Sequence, residues 1–319
     1  MINFSQQWKN IYSHKYMDFD FIKDIATKVK TFQSEVEHLE FKKEHSSFQR
    51  IEAPKFNDIV IICATQDEFI SFKSILEDVQ RLDISNDATL YYKGYIKGLK
   101  DKFSVIIPVP SDMGIATAAI VTTKCIHQFR PRFIFMVGIA AGIKASTKVG
   151  DVIIADQALN YNEVIEIENA DQTTRTKYMH NVISISSNLR SRFYMFLNSS
   201  DINEVSEHSL LKDLNRGVRF HIGMMVSGGS LIRSKERIKQ LVRDYHNIKG
   251  IDMETYGVYK AVYSFNYDNT PDFISIKSVS DFGDNDTHKE ITDSDKRKEL
   301  ALFTATTTLK QFIKSQYFE

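Results

Sequence analysis

Cysteine is almost missing from this chain: there are two, Cys63 and Cys125, far apart in sequence. Two such residues allow no disulfide framework and no metal-ligand spacing. Cys63 ends the apolar run Ile59-Val60-Ile61-Ile62-Cys63, which marks it as a reduced core thiol. An excess of charge of either sign is missing too. The 41 Lys and Arg match the 41 Asp and Glu. That balance removes any global electrostatic case for nucleic acid or an anionic membrane, though not a local basic patch. No apolar run approaches a membrane span, and the opening MINFSQQWKN has none of the apolar core of a signal peptide. These absences lead us to expect a cytoplasmic protein without nucleic-acid or membrane partners. What is present is material for a core. Hydrophobic residues make up 42% and aromatic ones 12% of 319 residues, which suits one large α/β domain, or one domain with an extension.

Residues 1–55 stand apart from the rest. They contain no glycine, and the first proline, Pro54, closes them. Ile22, Ile25, Val29, Phe32, Val36 and Leu39 follow one another at intervals of three or four, the apolar seam of a helix several turns long. The seam suits packing on its own domain; it also suits a second copy or a regulatory protein partner. From residue 56 to 319 the pattern changes to strands alternating with helices. We read strands at Ile59–Cys63, Thr89–Ile96, Phe103–Val109, Phe133–Val137, Val152–Ala155, Gly223–Val226 and Phe273–Val279. Helices are read at Glu68–Val79, Gly114–Phe129, Arg233–Tyr245, Glu254–Phe265 and Asp293–Lys314. Such alternation predicts a mostly parallel sheet covered on both faces. The polar stretch Glu163–Arg219 predicts a helical insertion over one sheet edge.

Four places put polar or small residues where a strand gives out, and such ends carry ligands in α/β sheets. Ala64-Thr65-Gln66-Asp67-Glu68 follows the first strand. Its acids would equally serve a helix N-terminus, and alone that plainer reading wins. Gly138-Ile139-Ala140-Ala141-Gly142 reads as a small-residue turn that lets backbone N–H groups approach a ligand. It matches neither the phosphate loop nor the dinucleotide fingerprint. Met253-Glu254 opens a helix; the carboxylate can take two hydrogen bonds from a sugar diol, and the thioether packs on a sugar's apolar face. A helix start alone would also explain Glu254. Ser280-Asp281 follows the last strand. Asp there starts a turn, or, in a partly dry pocket, has a raised pKa and donates a proton near neutral pH. Each place is ordinary by itself; four at the strand ends of one sheet point to a site.

Four segments together, "GIAAGI…KVGDVIIAD" (Gly138 to Asp156), "VSGGSLIRS" (Val226 to Ser234), "IDMET" (Ile251 to Thr255) and "SVSDFGD" (Ser278 to Asp284), carry a resemblance. The chain, over roughly residues 57–315, resembles the nucleoside phosphorylase/nucleosidase superfamily, and within it the methylthioadenosine/S-adenosylhomocysteine nucleosidases. The resemblance implies a three-layer α/β domain with a central mixed, partly barrel-like sheet. It implies that Asp281 protonates N7 of the leaving purine and that Glu68 orients and deprotonates the attacking water. Glu254 then binds the ribose hydroxyls with Met253 against the sugar, and the base lies beside Leu231 and Ile232. Ile139, Ala140 and Gly142 line the same site. The chemistry requires no metal and no organic cofactor. Members assemble as dimers or larger, so the resemblance also implies a homo-oligomer acting on a small-molecule purine nucleoside or nucleotide.

The chain departs from the family in places that bear on chemistry. Where phosphorylases have an arginine that binds phosphate, this chain has Met136, which favours water as nucleophile. Where nucleosidases have serine and arginine to help hold the water, it has Ile139 and Lys277. Lys277 brings charge without a guanidinium fork, and Ile139 brings no side-chain hydrogen bond. Arg233 and Lys235 suit a 5′-phosphate, as in AMP or ATP, or simply a helix start at the surface. The expected function is an adenine nucleosidase cleaving the N-glycosidic bond of a nucleoside or nucleotide, with room for a regulated, nucleotide-depleting effector. A purine nucleoside phosphorylase and a catalytically weak nucleoside sensor are the alternatives.

Overall fold

Four β-branched residues in a row begin the main sheet: Ile59–Ile62 (β1) buries every side chain, as a central strand covered on both faces must. The computed structural model describes residues 57–169, 174–265, 270–284 and 290–318; the helix expected over residues 22–39, and the whole segment 1–55, lie outside them. After β1 come α1 (Gln66–Lys73), β2 (Glu77–Leu82), β3 (Tyr91–Lys97), β4 (Lys102–Pro108), α2 (Ile115–Phe129), β5 (Phe133–Gly142) and β6 (Val152–Asn160). Then follow β7 (Val164–Glu168), β8 (Thr174–Tyr178), β9 (Ile183–Ser184), α3 (Ser187–Leu197), α4 (Ser209–Asp213) and β10 (Phe220–Ser227). The chain closes with α5 (Lys235–Asp244), β11 (Ile248–Asp252), α6 (Thr255–Tyr263), β12 (Asp272–Asp281) and α7 (Ser294–Lys314).

The main sheet has ten strands in the order β11-β10-β6-β12-β5-β1-β4-β3-β2, with β9 beside β6. β11 also pairs antiparallel with β5, placing Ile251 opposite Ala141. β5, β12, β6, β10 and β11 therefore close a ring, the barrel-like part of a mixed sheet. The expectation of a mostly parallel sheet needs correction. β1, β4, β5 and β12 run one way, whereas β6, β10 and β11 run the other, antiparallel where β6 meets β12. Ring closure, not one shared edge, thus brings the end of β11 to the end of β12.

Several elements differ from the sequence reading for physical reasons. The helix expected over Glu68–Val79 stops at Lys73, and Glu77–Leu82 instead adds an edge strand to β3. Its exposed charged side chains are those that protect sheet edges. The small-residue segment Gly138–Gly142 is not a turn: it is the end of β5. The Glu163–Arg219 insertion holds a two-stranded β7–β8 ladder as well as helices.

The sheet is covered on both sides. On one face Tyr259 of α6 donates its hydroxyl to the Ala155 carbonyl of β6, while Ser275 of β12 bonds Thr255. On the other, Ser278 of β12 meets Thr304 of α7 at 2.7 Å. There Phe312 of α7 stacks on Phe193 at 3.8 Å and meets Phe135 and Phe318 edge-on. Full burial of each such ring contributes about 2–3 kcal/mol. α2 and α6 cross closely. A Cβ at Gly257 would stand 2.2 Å from the Ile115 carbonyl, so only glycine lets these two helix starts meet.

Candidate active site

Glu68 sits in the first turn of α1 and does cap that helix, in a capping box with Thr65. Its carboxylate does more. Oε2 accepts the N–H groups of Ala64 at 2.6 Å and Thr65 at 3.1 Å, and Oε1 accepts that of Ile139 on β5 at 2.9 Å. Gly138 makes this reach possible, because a Cβ there would stand 1.9 Å from Oε1. The sequence suggests that glycine serves a ligand's approach to the backbone; the structure gives the space to Glu68. Ile139 is half-buried and meets Glu68 through its backbone, Ala140 is buried, and Gly142 packs against Thr147 and Val279.

Opposite Gly138 on β12 lies Lys277, fully buried, with no hydrogen-bond partner for its Nζ. The ammonium stands 3.6 Å from Asp252 Oδ2 and 4.0 Å from Glu254 Oε2. Burial alone would lower its pKa, but the charges of Glu68, Asp252 and Glu254 outweigh that and hold it raised, so Lys277 is a cation.

Glu254 precedes α6 without capping it through its side chain, which removes the plainer reading of this residue. Asp252 takes that place, accepting the N–H groups of Glu254 and Thr255. The Glu254 carboxylate turns instead to the Gly114 N–H at 3.0 Å, before α2. Burial pushes its pKa up to about 7; Lys277 opposes this, while the neighbouring charges of Asp252 and Glu68 add to it. A narrow cleft lined by Cys63, Ala64, Pro108, Asp112 and Thr117 reaches Glu254. Met253 is half-buried just before it.

Asp281 is the last residue of β12, half-buried, where the sequence has it follow the strand. It accepts the Ser280 hydroxyl at 2.8 Å and the Gly283 N–H at 2.8 Å. On the sheet it pairs with Ala141, so it flanks the end of β5 on the side away from β1 and Glu68. Gly283 in turn lies against Ile232: a Cβ there would be 3.2 Å from the Ile232 carbonyl. Ile232 is thereby beside the Asp281 loop. Leu231 is 69% exposed, and Arg233 and Lys235 are exposed at the start of α5, outside the lining of the cleft at Glu254. Sequence reasoning passed over Asp252 and its network with Ser227, Thr255 and Ser275. The signal was there: an Asp at a strand end, three residues before a Thr, is a capping pattern. Among the described residues, no group of three or more His, Cys, Asp or Glu could hold a metal ion. Among the same residues no helix is long and apolar enough to cross a membrane.

Residues 58–314 match the family model of the phosphorylase superfamily. The chain belongs to that superfamily. Among curated members, the 5′-methylthioadenosine/S-adenosylhomocysteine nucleosidase of Haemophilus influenzae is 26% identical over 226 residues, covering 71% of this chain and 86% of that protein. Among solved structures, the enzyme of the same name from Neisseria meningitidis, in complex with methylthio-immucillin-A, superposes with a TM-score of 0.59 at 17% identity. That match covers 81% of this chain and 99% of the other. Futalosine hydrolase of Helicobacter pylori superposes equally, with a TM-score of 0.59 at 18% identity over 81% and 97% of the two chains. These superpositions establish the shared superfamily fold, including its mixed sheet.

Proposed function

We propose that this chain is a purine nucleosidase that hydrolyses the N-glycosidic bond of an adenine nucleoside or nucleotide to free base and sugar. The observation that carries the reading is the pair Glu68 and Asp281, which flank the end of β5 from opposite sides, Glu68 from α1 just after β1 and Asp281 from β12, with Lys277 of β12 opposite Gly138. Cleavage of an N-glycosidic bond passes through an oxocarbenium-like sugar. A purine is a poor leaving anion until N7 is protonated, so Asp281 gives a proton there. Glu68, oriented by its three backbone donors, takes the proton of the attacking water, and the Lys277 cation holds that water near the anion. Glu254 receives the ribose hydroxyls. Proton transfer at each end contributes roughly 10²–10⁴-fold.

Adenosine thioethers are the first substrates to try, since the curated relative is named for 5′-methylthioadenosine and S-adenosylhomocysteine. A phosphorylase is the less favoured reading, because the position of the phosphate-binding arginine holds Met136, buried and apolar. A sensor without turnover has only Ile139 in its favour. Assembly as a dimer or larger rests on the superfamily resemblance and is checked by light scattering at micromolar concentration. Docking of a regulatory partner on residues 1–55, and a part in depleting nucleotides, belong to the same proposal. The test is base release from a purified full-length chain, followed by chromatography. Release without phosphate supports the reading; strict dependence on phosphate replaces it with the phosphorylase.

A further inference from the structure

Asp252 is the most connected side chain of the site, yet no step of the reaction calls on it. Oδ1 accepts the Ser227 hydroxyl at 2.6 Å and Oδ2 accepts the Thr255 hydroxyl and its N–H. Thr255 passes the network to Ser275 on β12, and Ser227 accepts the Tyr256 N–H. One carboxylate thus ties together β10, β11, the start of α6 and β12. Its free side faces Lys277 at 3.6 Å. Simple capping needs none of this. A buried anion beside a buried cation that makes no hydrogen bond is a costly arrangement, and the pair lies among the charges of Glu68 and Glu254.

We propose that Asp252 is a positioning residue: it holds the Lys277 ammonium at the water site and, through the Glu254 N–H, fixes the turn that aims the Glu254 carboxylate at the sugar. Asp252 acts through Lys277 and Glu254 and touches no substrate. The charged or titratable groups around that turn are Glu68 from α1, Cys63 after β1, Asp112 from the cleft lining before α2, Asp252 itself from β11 and Lys277 from β12. The Asp252 carboxylate accepts from fixed hydroxyl and N–H groups on both oxygens, so it is held in a fixed place. The Lys277 ammonium has no hydrogen-bond acceptor and takes its position from the charges around it. The assignment of Lys277 to the water site rests on the nucleosidase reading; the geometry of the triad does not.

The experiment titrates Glu254 directly, by carbon-13 NMR of glutamate-labelled full-length protein, in the parent, Asp252→Asn and Ser227→Ala. The parent is expected to titrate near pH 7. Removing the neighbouring anion lowers that value in Asp252→Asn, whereas Ser227→Ala, which loosens the network without changing charge, leaves it in place. Turnover is read separately: kcat of Asp252→Asn falls about ten- to a hundredfold with a smaller change in KM. In an Lys277→Met background, Asp252→Asn lowers kcat by a smaller factor than it does in the parent, because only the Glu254 turn is then left for it to hold. That double variant, which removes both buried charges, also serves if the single one does not fold. A Glu254 titration unmoved by Asp252→Asn, or a loss of kcat in the Lys277→Met background as large as in the parent, would overturn the assignment. Parent protein that titrates as expected but releases no base would instead contradict the nucleosidase reading alone.

Discussion

Asp151 and Glu254 are both buried carboxylates beside cations, and they answer burial in opposite ways. Asp151 accepts His221 at 3.1 Å and the N–H groups of Lys148 and Arg219, with the Arg216 and Arg219 guanidinium groups at 3.6 and 3.3 Å. Burial would raise its pKa, but these donors and charges win and hold it below the usual carboxylate range. Glu254 has one backbone donor at 3.0 Å, a second at 3.3 Å and a lysine at 4.0 Å, and burial wins. A structural acid has its bonding capacity filled by the protein. A functional acid keeps capacity for a ligand, and the protein tolerates a perturbed pKa there.

The comparison can be broken from either side. The largest effect belongs to the site. Asp281→Asn should lower base release about 10²–10⁴-fold while the thermal midpoint stays put; full activity would remove Asp281 from the acid role. Next, on the structural side, Asp151→Asn removes the fully buried anion that faces Arg216, Arg219 and His221 and should cost on the order of 3 kcal/mol of stability. Denaturant titration measures that loss, and kcat of the folded fraction should not change. Close behind is Gly138→Ala. Its new Cβ would fall 1.9 Å from Glu68 Oε1 and push the carboxylate aside, lowering kcat about a hundredfold by steady-state kinetics.

Dependence on pH separates the two acids by sign. The Asp151 pKa is lowered by folding, so its stabilisation is present above the usual carboxylate range and is lost as pH falls through the folded value. The Glu254 pKa is raised to about 7, so its contribution is present below the unfolded value near 4.5 and is lost as pH rises through 7. Binding of a sugar diol needs the ionised form, so kcat/KM should rise through pH 7 while the Glu254 share of stability declines. The smallest effect is a gain. Ile139→Ser offers one hydrogen bond, about 1 kcal/mol, and should raise kcat severalfold.

The candidate residues were legible because chemistry leaves short signals. An acid stands at or just past the end of a strand at Glu68, Glu254 and Asp281, and the resemblance joined them. What escaped was nonlocal. β2 was hidden because Glu77-Asp78-Val79-Gln80-Arg81-Leu82 has the composition of an exposed helix face, and only pairing with β3 makes it a strand. The role of Gly138 was misread because its neighbour Glu68 lies 70 residues earlier by number. Asp252 went unremarked because its partners come from β10, β12 and α6 at once. Ring closure between β11 and β5 has no local signature at all, yet it brings Glu254 to Lys277.

The central claim is that water attacks the sugar while Asp281 protonates the base. The most direct measurement is adenine release, by chromatography, from methylthioadenosine, S-adenosylhomocysteine, adenosine, AMP and ATP, each with and without phosphate. Phosphate-independent release from at least one of them, lost in Asp281→Asn, is the predicted result. Release only with phosphate, or release undiminished in Asp281→Asn, would contradict it.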